Sequence, residues 1–173
     1  MRLRMGRTLH MLATSALVLA SASSAEDLTI SDGWKLYDNF KYEYHLCYPY
    51  RLLKPRGEPD AGDGQQFIAR DGAKLIVFGS FNVDEKPFNQ IVNSYTTDLI
   101  KPAGRVTYRT MGKNWAVASG EDGRGSIFYS KTIKRSDEVA TFQLIYPRRL
   151  AARYAPIATH LSECLAHITV ESR

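Results

Sequence analysis

The chain has 173 residues, 23 of them basic and 18 acidic, for a formal charge of +5. Three of the basic residues, Arg2, Arg4 and Arg7, lie in a leader, and without residues 1–25 the balance is 20 basic against 18 acidic, or +2. So small an excess argues against a nucleic-acid partner, which needs a basic stripe to neutralise phosphates.

The leader combines those arginines with the apolar run Met11 to Ala20 and the small residues Ser21-Ala22-Ser23-Ser24-Ala25. This is the pattern of a secretory signal peptide, and cleavage is expected after Ala25. A retained membrane anchor is the alternative, but the run is shorter than the roughly 20 apolar residues that a span needs. No cysteine stands near the cleavage point, which excludes lipidation there. Residues 26–173 then form one domain of 148 residues, enough to bury a core, with no later span. A bacterial exported protein, periplasmic or secreted, is the expectation.

Residues 43–48 alternate as a strand, with Tyr44, Leu46 and Tyr48 on one face and His45 and Cys47 on the other, and Pro49 ends it. After a Pro- and Gly-rich loop, residues 65–70 and 74–81 read as two strands joined by Asp71-Gly72, the signal of a hairpin with a type I′ turn. Asp84-Glu85-Lys86-Pro87 opens a helix whose apolar face is Phe88, Ile91, Val92, Tyr95 and Leu99; Pro102 and Gly104 stop it. Four β runs follow at 105–111, 115–120, 126–134 and 139–146, and their short connectors predict an antiparallel meander. In the last run Ala140, Phe142, Leu144 and Tyr146 make one side the more apolar. The tail, 147–168, is expected to be helical, divided at Pro156, with Ile157, Leu161, Cys164, Leu165 and Ile168 as its buried stripe. The order predicts an α+β domain: one antiparallel sheet of about six to seven strands with two main helices packed on it.

The opening strand "YHLCYPYRL", the hairpin "DGQQFIARDGAKLIVFG", the long middle helix, the meander and the closing helix resemble the PsbP-like fold over residues 34–170. That group includes thylakoid-lumen extrinsic proteins of photosystem II, a nuclear-transport factor and many exported bacterial proteins. The resemblance implies an α/β/α sandwich and a non-catalytic protein-binding or assembly role. It transfers no functional residue.

In an exporting compartment Cys47 and Cys164 are expected to pair, closing nearly the whole domain at an entropic gain of about 4 to 5 kcal/mol before native strain. Two buried thiols are the alternative. Other candidate sites weigh less. Glu58, Asp60, Asp63 and Asp71 lack the alternate spacing and distant Glu of a calcium loop, and turn chemistry accounts for them better. His160, Cys164 and His167, at i, i+4 and i+7 of the last helix, offer imidazole and thiolate for zinc or copper, but three ligands on one straight helix rarely converge on an ion. His45 shares a strand face with Cys47 and would have to act as its base, yet no oxyanion donor adjoins it. Ser126 in "GRGSIFY" lacks a nucleophile elbow, and no phosphate or dinucleotide loop is present. Nothing in the chain asks for a cofactor or metal.

Two basic groups remain, Lys131, Lys134 and Arg135 near one hairpin and Arg148, Arg149 and Arg153 at the start of the last helix. They are expected to meet if the last two strands pair, offering a patch for an acidic envelope partner or an anionic surface. The leading expectation is therefore an exported protein-binding or assembly module without catalysis. Its alternative is a small metal or thiol enzyme using His160, Cys164 and His167, or His45 and Cys47. A small-ligand pocket between the sheet and the middle helix, lined by Tyr95 and Trp115, is a third reading.

Overall fold

The structure, a computed structural model, describes residues 33–169; the leader lies outside them. Seven strands form the main antiparallel sheet in the order β3 (Lys54–Pro55), β4 (Gly64–Ile68), β5 (Lys74–Phe81), β9 (Glu138–Pro147), β8 (Ser126–Arg135), β7 (Trp115–Glu121) and β6 (Arg105–Met111). A second, three-stranded sheet has β2 (Tyr44–Tyr48) between β1 (Lys35–Asn39) and β10 (Ala166–His167). Two helices, α1 (Phe88–Leu99) and α2 (Ala151–Cys164), complete an α+β domain.

Alternation along the central strands assigns the two faces of the main sheet. In β9, Ala140, Phe142, Leu144 and Tyr146 join the core together with Tyr44 and Leu46 of β2 and Tyr154 and Leu161 of α2. Tyr146 stacks on Tyr154 with ring centroids 5.1 Å apart, and Tyr48 of the small sheet meets Phe67 of β4 at 4.4 Å. The small sheet and α2 thus share one face, and burial of these aromatic and aliphatic side chains supplies the main hydrophobic stabilisation, at about 1.5–3 kcal/mol for each large one. The intervening residues turn to the opposite face, where α1 lies. Thr141 donates to Thr132 across the β8–β9 pair, and Tyr95 of α1 meets Phe78 edge-on at 5.0 Å. This face of the sheet buries Ala116, Ala118, Ser130, Thr132, Thr141 and Gln143 together with Phe128, a more polar set than the core on the other side.

Four local expectations need correction. The β4–β5 hairpin forms, but Ala69 N–H bonds Ala73 O at 2.9 Å and only Gly72 of the loop has positive φ, at 95°. It is a three-residue loop ending in a left-handed glycine, not a two-residue type I′ turn. Pro156 does not divide α2: its ring and Ala152, whose carbonyl loses the hydrogen bond, are both exposed, so water can serve that carbonyl. The helix instead ends at Cys164, because Leu165 is extended (φ −61°, ψ 114°), and His167 belongs to β10, opposite Tyr44. Finally, β2 pairs in a separate small sheet rather than in the main one, and β1, β3 and β10 were not anticipated.

Candidate functional site

Cys47 and Cys164 are joined in a disulfide, Cα to Cα 5.7 Å. The bond ties the last turn of α2 to the middle strand of the small sheet, and no free cysteine is left. His45 and Cys47 share a strand, but a bridged sulfur has no thiolate to activate. His160 packs against Trp34, ring centroids 4.0 Å apart, and His167 Nδ1 lies 3.3 Å from Glu43 O. The proposed trio therefore never shares a helix face. Among the described residues no group of three His, Cys, Asp or Glu side chains is placed to hold an ion.

The acidic stretch has structural partners. Glu58 accepts the Tyr37 hydroxyl at 2.6 Å, and Tyr37 is pushed up to about 12, first by burial, with the Asn39 hydrogen bond opposing and Glu58 adding to the rise. Asp71 accepts Tyr154 Oη at 2.8 and 2.9 Å, Arg153 Nη1 at 3.1 Å and Ala73 N–H at 3.2 Å. Burial, then the Asp71 carboxylate, holds the Tyr154 phenol protonated well above its ordinary range.

The two sequence-adjacent basic groups do not meet. β8 and β9 do pair, but antiparallel pairing sets Lys134 opposite Val139 and Ser126 opposite Pro147, so Arg148 starts at the far end of the ladder. Five to nine residues of strand separate the members of the first group from that end, roughly 17 to 30 Å. Most of these cations also have structural work. Lys131 is half-buried and donates to Ser162 O, and burial pulls its ammonium pKa down. Arg135 pairs with Glu43 and Glu138 and donates to Ile168 O at 2.9 Å, fastening the β8–β9 hairpin to the chain after β10. Arg148 pairs with Glu121 at 2.6 Å. Lys134 and Arg149 make no ion pair among the described residues.

A different basic site is assembled by the fold. Arg51, Lys54, Arg70 and Arg153 line one cleft of about 430 Å³ with Leu52, Ile68 and Asp71. They come from the turn after β2, from β3, from the β4–β5 loop and from α2. Next to it the Tyr50 ring has the Lys35 ammonium 4.8 Å from its centroid, Arg51 at 5.8 Å and Lys54 at 6.0 Å. Asp71, the one carboxylate lining the cleft, accepts from Tyr154 and pairs with Arg153, so four cations against one carboxylate leave the lining net positive. Its apolar lining, Leu52 and the 39% exposed Ile68, gives it a mixed character. Only Arg153 was among the residues singled out from sequence. Arg51 and Lys54 stand three apart after Pro49, but nothing local ties them to Arg70 or Arg153.

The third reading also changes shape. Trp115 lies opposite Ile133, on the α2 side of the sheet, whereas Tyr95 faces the other way and shares a 3.0 Å hydrogen bond with Ser80. They line no common cavity. A cleft of about 640 Å³ does lie between the sheet and the C-terminal end of α1, walled by Leu99 over Ile76, Phe128 and Ile145.

These layers define a PsbP-like α+β fold, a sandwich carrying a basic surface cleft. The solution structure of cyanobacterial PsbP (CyanoP) from Synechocystis sp. PCC 6803 has the same fold: it aligns with 78% of this chain and 92% of its own, at 12% identity and a TM-score of 0.61. A crystal structure of PA94, a protein of unknown function from Pseudomonas aeruginosa, aligns with 79% of this chain and 99% of its own at 12% identity, with a TM-score of 0.49. No family model matches the sequence, and no curated protein matches it. No helix among the described residues is long and apolar enough to cross a membrane.

Proposed function

We propose that this is an exported, non-catalytic binding module of the cell envelope, and that it docks an acidic segment of a partner protein in the cleft of Arg51, Lys54, Arg70 and Arg153. The observation that carries the reading is the convergence of four cations from four separate elements on one cleft with a single carboxylate, which pairs with Arg153. Leu52 and Ile68 would receive an apolar side chain beside the acidic ones, which favours a peptide segment over a bare anion. Arg149, exposed in the turn before α2, adds charge at the same helix end. The leader and the disulfide both support residence in an oxidising compartment. The thiol-enzyme alternative loses its nucleophile to the bridge.

Capture from an envelope extract with the tagged mature protein tests the reading when wild type is compared with the Lys54→Glu/Arg70→Glu variant. Both side chains are exposed, so folding is preserved. A specific protein retained by wild type, released by salt and lost in the variant is expected; capture indifferent to the charge reversal would overturn the docking site.

A further inference from the structure

The cleft under the C-terminal end of α1 is independent of the basic cleft and differs from it chemically. Its floor is apolar, formed by Ile76, Phe128 and Ile145 of three adjacent strands. Its rim carries Lys74, Lys101 and Arg124 against Asp98 and Asp122. Those acids are already engaged: Asp98 pairs with Lys101 at 3.1 Å, and Asp122 accepts the backbone N–H groups of Arg124 and Ser126 at 2.8 and 2.9 Å. Three cations against two carboxylates leave one net positive charge, and Lys74 makes no ion pair among the described residues.

Gln143 supplies the second observation. It is only 9% exposed, lines this cleft, and its side chain makes a single hydrogen bond among the described residues, a long 3.5 Å donation to Tyr95 O. Its carboxamide oxygen makes no hydrogen bond within the described residues and is reachable from the cleft, where water or a ligand can meet it. A volume of about 640 Å³ is in the range of small-molecule sites.

We propose that this cleft binds an amphipathic monocarboxylate, its apolar body on Ile76, Phe128 and Ile145 and its carboxylate between Lys74 and Arg124, with a polar atom of the ligand reaching Gln143. A single net positive charge on the rim suits a monoanion better than a phosphate dianion or a polyanion.

Amide-resolved NMR titration of the mature protein tests this with two probes, decanoate and 2-naphthoate, and decanol as the uncharged control. At least one carboxylate is expected to saturate in the sub-millimolar range, with shifts centred on Ile76, Phe128, Gln143 and Ile145. Lys74→Glu and Arg124→Glu, both at exposed positions, should each weaken it at least about fivefold, or about 1 kcal/mol, while Arg124→Lys retains most of the affinity. Lys54→Glu, in the other cleft, should leave it unchanged, so this site and the docking reading stand or fall separately. The proposal is overturned if neither carboxylate saturates below about 1 mM, if decanol binds equally well, or if charge reversal changes nothing.

Discussion

Cys47 and Cys164, 117 residues apart in sequence, bond the middle strand of the small sheet to the final turn of α2. The same joint is reinforced by the Cys47 N–H, which points at Cys164 Sγ at 2.8 Å, and by Ile168 N–H donating to Glu43 O at 2.8 Å. Replacing both cysteines by alanine frees a very long loop in the unfolded chain, a change of up to about 4 to 5 kcal/mol. At roughly 2–4 °C per kcal/mol for a domain of this size, the thermal midpoint should fall by about 10 °C. Calorimetry of the oxidised protein against the double variant checks this, and an unchanged midpoint would remove the disulfide from the account of stability.

Tyr154 is fully buried and donates to both oxygens of Asp71. Tyr154→Phe keeps the ring stack on Tyr146 but deletes a hydrogen bond to a charged acceptor. The loss should be roughly 2 kcal/mol by denaturant unfolding, with the cleft beside it still formed by Arg153. A change below a few tenths would mean that Asp71 is satisfied without the phenol.

Gly64 starts β4 against Phe78 of β5. A Cβ there would overlap Val77 O and come within 2.8 Å of Phe78 Cα, and both are backbone atoms that cannot swing away. Gly64→Ala should therefore cost about 1–3 kcal/mol although its φ is ordinary. At Gly62, where φ is +61° and nothing lies within 4 Å, an alanine meets strain without a clash, and the cost should be smaller.

His167 gives a pH dependence. Burial first, then the Arg135 guanidinium, holds its imidazole below the ordinary value, while the Glu43 carbonyl and the carboxylates of Glu138 and Glu43 pull the other way. Because the folded pKa is the lower one, the unfolded chain takes up the proton first as pH drops through about 6.5. The contribution of His167 is thus complete above that pH and is lost on acidification until the folded pKa is passed. His167→Gln should flatten the fall in thermal midpoint between about pH 7 and pH 5.5 relative to wild type. Parallel profiles would contradict it.

Much of this fold was legible because its long elements announce themselves locally. The β6 to β9 meander and α1 carry their own periodicity and turn residues; the four strands agree with the sequence reading within a residue or two, while α1 starts at Phe88, with Pro87 before its first turn rather than in it. Of the small sheet only the middle strand, β2, was legible; its neighbours were not, for the opposite reason. In β1, Lys35-Leu36-Tyr37-Asp38-Asn39, the buried residue is an asparagine, whose amide donates to Gly62 O at 3.0 Å, and Leu36 faces solvent. β3 and β10 are two residues each, and tertiary pairing, not pattern, makes them strands. The tail misled through Pro156: α2 continues through it, and the freed carbonyl of Ala152 is open to water.

The site fared differently from the fold. Grouping basic residues by sequence distance selected Lys131 to Arg135 and Arg148 to Arg153, which an antiparallel ladder then separates. The cleft draws Arg51, Lys54, Arg70 and Arg153 from elements up to about a hundred residues apart, and no periodicity connects them. Only the register of β3 with β4, which sets Lys54 opposite Ile68, brings the first pair to the loop that holds Arg70.

The central claim is that an acidic partner docks in this cleft, and site-specific photocrosslinking tests it most directly. A photoreactive residue is placed at the exposed position 152, beside Arg153 on α2, and, as a control, at the exposed position 113 in the β6–β7 loop, with the full chain expressed in its own cell. The account predicts one discrete protein adduct from position 152, lost when Lys54→Glu is added and absent from position 113. No adduct at position 152, or the same adducts from both positions whatever the charge at Lys54, would contradict it.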